Sequence, residues 1–174
     1  MEQTKAAATA VRLMAFDVDG VMTNGQLYYT ASGESVKAFC SQDGHGIKML
    51  QNAGIVTAII SGRSSAALTS RATGLGISHL HMGVDDKRSC MVDLLRSLNL
   101  SPEQAGYMGD DVPDLPVLRY CGFSAAPADA HPFVKAHVRY ICKLPGGGGA
   151  VREACDFILS AQNRLDAMLA AYLL

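Results

Sequence analysis

Four groups of residues in this chain have the types and spacing to do chemistry. Phe16-Asp17-Val18-Asp19-Gly20 ends an apolar run in two carboxylates one residue apart. Ile59-Ile60-Ser61-Gly62-Arg63 ends a second run in a hydroxyl, a flexible glycine and a guanidinium. Val84-Asp85-Asp86-Lys87 sets an ammonium at the start of a helical pattern, and Tyr107-Met108-Gly109-Asp110-Asp111, with Asp114, ends a further apolar run in acids. Carboxylates hold hard cations such as Mg²⁺, and a lysine with a hydroxyl grips phosphoryl oxygens. The set therefore supplies what Mg²⁺-assisted phosphoryl transfer requires. Asp17 to Gly20 alone could also be a polar strand exit with a turn glycine. The later groups, each following an apolar strand, argue for chemistry.

These residues need elements to place them. Val11–Phe16, Ile55–Ile60, Ser78–Met82, Ala105–Met108, Gly122–Ala125 and His137–Ile141 are predicted as strands, several apolar throughout, as strands covered on both faces are. Helices are expected over Gly44–Ala53, Ser64–Gly74, Asp85–Asn99 and Asp111–Tyr120. Met91, Leu94, Leu95 and Leu98 make the apolar stripe of the third. The alternation argues for an α/β fold with a doubly wound parallel sheet. Ligands bind such sheets outside the carboxyl ends of the strands, where the acids fall. Two segments break the alternation. Residues 21–39 hold Gln26–Tyr29 and Glu34–Phe39 about the turn Ala31-Ser32-Gly33, and read as a β-hairpin insertion. Residues 143–174 hold Pro145, Gly146–Gly149 and a final helix, Ala150–Leu174. We expect one domain over residues 1–174.

The chain has 174 residues, with 49% hydrophobic and 18% charged, which excludes a disordered chain. Fifteen basic against 16 acidic residues leave a net charge of −1, and Trp is absent. That balance removes the case for a nucleic-acid-coating or membrane-surface protein. Five cysteines with no CxxC pair read as reduced thiols in a cytoplasmic protein. Met1–Ala10 has no apolar stretch of a secretory signal, and the run Ala167–Leu174 is too short to span a bilayer.

The ordered set Asp17-x-Asp19-Gly20, Ser61, Lys87 and Gly109-Asp110-Asp111-x-x-Asp114 resembles the haloacid dehalogenase superfamily of phosphohydrolases. The resemblance implies a Rossmann-like core in which Asp17 is a nucleophile forming an aspartyl-phosphate and Asp19 the general acid, then base. It implies that Ser61 bonds the phosphoryl group and that Lys87 neutralises charge. Mg²⁺ would be held by Asp17, the backbone carbonyl of Asp19 and Asp110, with Asp111 and Asp114 accessory. A hairpin follows Asp19 directly, and only 25 residues, 62–86, separate Ser61 from Lys87, so neither place has room for a cap domain.

Such cap-less members resemble the 3-deoxy-D-manno-octulosonate 8-phosphate phosphatases of lipopolysaccharide synthesis. The matching stretches are Gly20–Thr23, Phe39–Ile47, Ser61–Arg63, Gly83–Lys87 and Gly146–Glu153. Cys40 departs from that pattern, which carries a small polar residue, often Asn. The resemblance implies a homotetramer in which a neighbour's hairpin and C-terminal tail help close the site. Arg63 is the first candidate for the sugar-acid carboxylate, with Gly62, Thr23 and His45 as further substrate contacts. Lys143 and Arg152 are candidates to serve a neighbour's site. Removing Ala150–Leu174 is expected to weaken substrate handling more than folding. Three other readings compete: the same chemistry on a nine-carbon sugar acid 9-phosphate, a phospho-acceptor signalling domain, and a catalytically silent assembly module. His79 and His81 share a strand face, and without a third ligand they read as strand residues.

Overall fold

In the computed structural model, residues 2–31 and 33–173 are described. Six parallel strands form one sheet: β1 (Leu13–Phe16), β4 (Val56–Ile60), β5 (His79–His81), β6 (Ala105–Met108), β7 (Phe123–Ala126) and β8 (Tyr140–Ile141). Their order is β5-β4-β1-β6-β7-β8. The chain winds outward from β1 to β5, then returns to the other side of β1 and winds out to β8. The reversal between β1 and β6 is where such a sheet opens a crevice. β2 (Tyr28–Thr30) and β3 (Gly33–Val36) form a separate antiparallel hairpin. Ser32, in the expected turn, lies outside the described residues, as do Met1 and Leu174.

β1 shows why the sheet is central. All four of its residues are fully buried, and alternate ones face opposite ways. Met14 and Phe16 pack into one core beneath α1 (Glu2–Ala10), α2 (Ser41–Asn52) and α7 (Ala150–Ala161). Leu13 and Ala15 pack into a second beneath α4 (Lys87–Leu98) and α5 (Leu115–Leu118). A further helix, α3 (Ala66–Leu75), and two short ones, α6 (Pro132–Lys135) and α8 (Leu165–Ala170), are the remaining α-helices among the described residues.

Several expectations are corrected. The helix expected from Gly44 starts at Ser41, because Cys40 takes the extended backbone of a cap. Caps favour Asn, Asp and Ser, so the departure at Cys40 concerns a helix end, where no side-chain capping bond forms. The long final helix is broken: Asn163 adopts φ 56°, a left-handed stop, between α7 and α8. The helix expected over Asp111–Tyr120 is a 3₁₀ turn, Val112–Asp114, followed by α5. Helix α1 has no apolar stripe to reveal it. Its run of alanines favours a helix by propensity alone, and only Ala8 is buried.

The tail is not peripheral. Ala150, Val151, Ala154, Cys155, Ile158 and Leu159 of α7 are fully buried. Gly46 of α2 lets the two helices close, since a Cβ there would meet Arg152 and Cys155 at 3.0–3.2 Å. That burial runs against the expectation that removing Ala150–Leu174 weakens substrate handling more than folding. Among the described residues no helix is long and apolar enough to cross a membrane.

Candidate active site

The strand register places the chemistry. Phe16 lies beside Ile59 on β4 and Met108 on β6. One residue further puts Asp17 level with Ile60 and Gly109, and the next step brings in Ser61 and Asp110. Three strands thus end together and deliver a carboxylate, a hydroxyl and a second carboxylate to one edge. Lys87 arrives from another direction, at the start of α4. Asp86 caps that helix by accepting from Ser89 N–H at 2.9 Å. The loop before it is tied to β4, because Val84 N–H donates to Ser61 O at 3.1 Å.

These residues line one cavity of about 430 Å³ with Asp19, Gly62, Arg63 and Asp111. Lys87 Nζ lies 3.0 Å from Asp17 Oδ2 and 2.6 Å from Asp114 Oδ1. Asp114 is almost fully buried and all of its oxygen is used. Its Oδ1 also accepts from the Tyr107 hydroxyl at 3.0 Å, and its Oδ2 accepts from Asp110 N–H at 3.1 Å and Asp111 N–H at 3.3 Å. Asp114 therefore fixes both the lysine and the Asp110 loop. Asp111 is exposed and caps the short turn after it.

The electrostatics follow from crowding. Burial first, then the Asp114 charge, push the Asp17 carboxyl up to about 6 despite Lys87. Burial with Asp114 and Asp17 pushes Asp110 up to about 7. Burial opposes charge on Lys87, but Asp17 and Asp114 outweigh it and its pKa rises. Single oxygens of Asp17, Asp110 and Asp114 lie within 4.8 Å of one another. With Asp114 already saturated, Asp17 and Asp110 are the pair fitted to a hard divalent cation, which would relieve their repulsion.

Gly20 is needed at its position. It has φ 86°, and a Cβ there would stand 2.1 Å from Asp110 Oδ2. The glycine-rich tail braces the same loop. A Cβ on Gly146 would stand 1.9 Å from Gly20 O, and Gly147 N–H donates to Val21 O at 2.9 Å. Gly146–Gly149 is thus a strut beneath the Asp17–Thr23 loop of its own chain.

Two expected substrate contacts are not in the cavity. Thr23 is buried, and its hydroxyl ties the loop together, accepting from Gly25 N–H at 3.2 Å. His45 lies in the second turn of α2, exposed, with its ring 5.6 Å from that of Tyr172. Arg152 pairs with Asp156 at 2.8 Å. Two residues beside the site are not among the expected contacts, Tyr29 being read from the sequence as interface packing. Lys37, just past β3, bonds Asp19 Oδ1, and the Tyr29 hydroxyl on β2 bonds the Arg63 guanidinium. Neither lies in a strand-end motif. The available signal was the paired charge and aromatic residues on a hairpin set beside Asp19.

Comparison with known proteins agrees with this geometry. A family model of haloacid dehalogenase-like hydrolases matches residues 80–153, the stretch holding Lys87, Asp110 and Asp114. The 3-deoxy-D-manno-octulosonate 8-phosphate phosphatase of Yersinia pestis is 46% identical over 159 residues, covering 91% of this chain and 85% of that one. The crystal structure of a probable YrbI family phosphatase from Pseudomonas syringae pv. phaseolica superposes with a TM-score of 0.98 at 46% identity, covering 100% of this chain and 99% of the other. The 3-deoxy-D-manno-octulosonate 8-phosphate phosphatase of Moraxella catarrhalis, solved with magnesium, phosphate and KDO, superposes with a TM-score of 0.96 at 42% identity, covering 99% of each chain. The chain belongs to the 3-deoxy-D-manno-octulosonate 8-phosphate phosphatase family of haloacid dehalogenase-like hydrolases.

Proposed function

We propose that this 174-residue chain is one Mg²⁺-dependent phosphatase unit that hydrolyses 3-deoxy-D-manno-octulosonate 8-phosphate. The observation that carries the reading is the meeting of Asp17, Asp19, Ser61, Lys87 and Asp110 in one cavity at the sheet's switch point. The product sugar acid would serve lipopolysaccharide synthesis.

A carboxylate nucleophile is repelled by a phosphate dianion, so charge must be offset. Bound Mg²⁺ would supply Lewis-acid neutralisation, held by Asp17, Asp110 and the backbone carbonyl of Asp19. Lys87 adds a fixed ammonium, held by Asp114, and Ser61 donates to a phosphoryl oxygen. Asp17 attacks phosphorus while Asp19 gives a proton to the leaving sugar oxygen. Asp19 then takes a proton from water, whose oxygen attacks phosphorus and releases Asp17 and inorganic phosphate. Arg63, at the cavity edge, is suited to a bidentate grip on the substrate's own carboxylate.

The reading extends to a cytoplasmic homotetramer. The hairpin exposes Leu27, Tyr28, Tyr29 and Val36, and an isolated two-stranded hairpin is marginal without a partner surface. The exposed Tyr172 and Leu173 leave the tail's end available to a neighbour. Five free cysteines fit a reducing compartment.

The test is phosphate release with Mg²⁺ from the octulosonate 8-phosphate, nine-carbon sugar acid 9-phosphates, hexose phosphates and p-nitrophenyl phosphate. Preference for the octulosonate ester is expected. Preference for a nine-carbon ester would move the substrate and keep the mechanism. Slow turnover of everything, with a long-lived phosphate on Asp17, would overturn the hydrolase reading.

A further inference from the structure

We infer that Lys37, at the foot of the hairpin, is a positioning residue that holds Asp19 for its proton transfers. The inference rests on the hydrolase reading above. Lys37 follows β3, whose neighbour Val36 is more than half exposed. Its own side chain is only 3% exposed and ends on Asp19 Oδ1. Burying an ammonium is costly unless a carboxylate faces it, and Asp19 is a carboxylate that faces this one.

The two oxygens of Asp19 have different surroundings. Oδ1 accepts from Lys37. Oδ2 is buried and accepts no hydrogen bond among the described residues, with Arg63 Nε 3.5 Å away. One oxygen is anchored and the other keeps its lone pairs. A carboxylate held that way cannot spin about its own axis, and its unanchored oxygen has a fixed direction. Giving a proton to the sugar oxygen and taking one from water at the same place requires that fixed direction. Lys87 cannot provide it, because its ammonium is engaged by Asp17 and Asp114. The hairpin thus acts on its own chain's site, in addition to any packing against a neighbour.

The test exploits the leaving group. A sugar alkoxide must be protonated to depart, whereas p-nitrophenolate leaves as a stable anion. The ratio kcat/KM reports the steps up to that departure. Wild type, Lys37→Met, Lys37→Arg, Asp19→Asn and the double variant Lys37→Met/Asp19→Asn are compared on both esters with Mg²⁺, and each is melted to check folding. Lys37→Met should lose on the order of 10–100-fold in kcat/KM on the sugar ester and less than about threefold on p-nitrophenyl phosphate. Lys37→Arg should restore most of the loss. In the Asp19→Asn background, Lys37→Met should cost no more than about twofold, because the two residues act as a unit. Lys37→Gln replaces Lys37→Met if the latter does not fold. Equal losses on both esters, or a full loss persisting in the Asp19→Asn background, would overturn the inference while leaving the hydrolase reading intact. A wild-type protein that releases no phosphate from either ester would overturn both.

Discussion

Lys87 Nζ stands 2.6 Å from Asp114 Oδ1, closer than its 3.0 Å approach to Asp17 Oδ2. The tighter hold on this ammonium therefore comes from a residue that makes no bond to phosphorus. Asp114 also receives the Asp110 and Asp111 amides on its other oxygen. One buried carboxylate thereby sets the distance between the cation of α4 and the acid that follows β6.

Asp114→Asn tests that arrangement. An amide cannot accept from all four donors, so Lys87 and the Asp110 loop both lose definition. The variant should need more Mg²⁺ for half-maximal activity, lose on the order of tenfold in kcat/KM, and lose about 1–3 kcal/mol of stability. A Mg²⁺ titration of phosphate release, with a urea melt, checks this. An unchanged Mg²⁺ requirement would show that Asp114 does not set Asp110.

Gly146→Ala probes the strut. The added methyl meets the backbone carbonyl of Gly20, which cannot swing aside as a side chain would. Either the tail or the Asp17–Thr23 loop must shift, at a cost of about 1–3 kcal/mol. Activity should fall together with the melting temperature, although Gly146 touches no phosphate. Loss of stability with full activity would mean that the tail alone gives way.

Asp43 supplies a pH signature. It is buried at the start of α2, and its Oδ1 accepts from Arg152 N–H at 2.9 Å, joining α2 to α7. Burial pushes its carboxyl above the ordinary value. A raised carboxyl binds its proton more tightly in the folded state, so ionisation weakens the fold at neutral pH. That penalty lifts as pH falls through the folded-state value toward the unfolded one. Asp43→Asn has no charge to bury. Its melting temperature minus that of the parent should therefore rise as pH climbs from the ordinary carboxylate range toward neutrality. A difference independent of pH would remove Asp43 as a buried charge.

Two truncations separate core from appendage. Removing residues 150–174 strips away the buried face of α7, and each large buried apolar side chain is worth about 1.5–3 kcal/mol against a total near 5–15. That chain should not fold. Removing 165–174 takes, among the described residues, only exposed or half-buried ones, and it should leave a cooperative melt, checked by circular dichroism.

The sheet was legible because most of its strands are short apolar runs, and three of them, β1, β4 and β6, end in a chemical motif. Asp17, Ser61 and Asp110 could be placed together for that reason, and Lys87 through the helix that it opens. Thr23 and His45 could not be judged, since their roles depend on loop closure and helix phase: Thr23 bonds its own loop, and His45 falls one turn inside α2. Lys37 and Tyr29 could be placed on or beside a hairpin but not aimed at Asp19 and Arg63, because a hairpin's direction relative to the sheet is not encoded in period or spacing. The stop at Asn163 was legible in principle, through the tolerance of asparagine for a left-handed backbone, but nothing apolar changes there to draw attention to it.

The strut also orders events in time. Ribosomes release Asp17 first and the glycines that brace its loop more than a hundred residues later. A nascent chain that has emerged as far as Lys143 already carries every acid, the serine and the lysine of the site. It lacks the backbone that holds Gly20 against Asp110, and it lacks the helix that seals one core. Ordering of the Asp17–Thr23 loop therefore waits on residues 146–161 rather than on the acids of the site themselves.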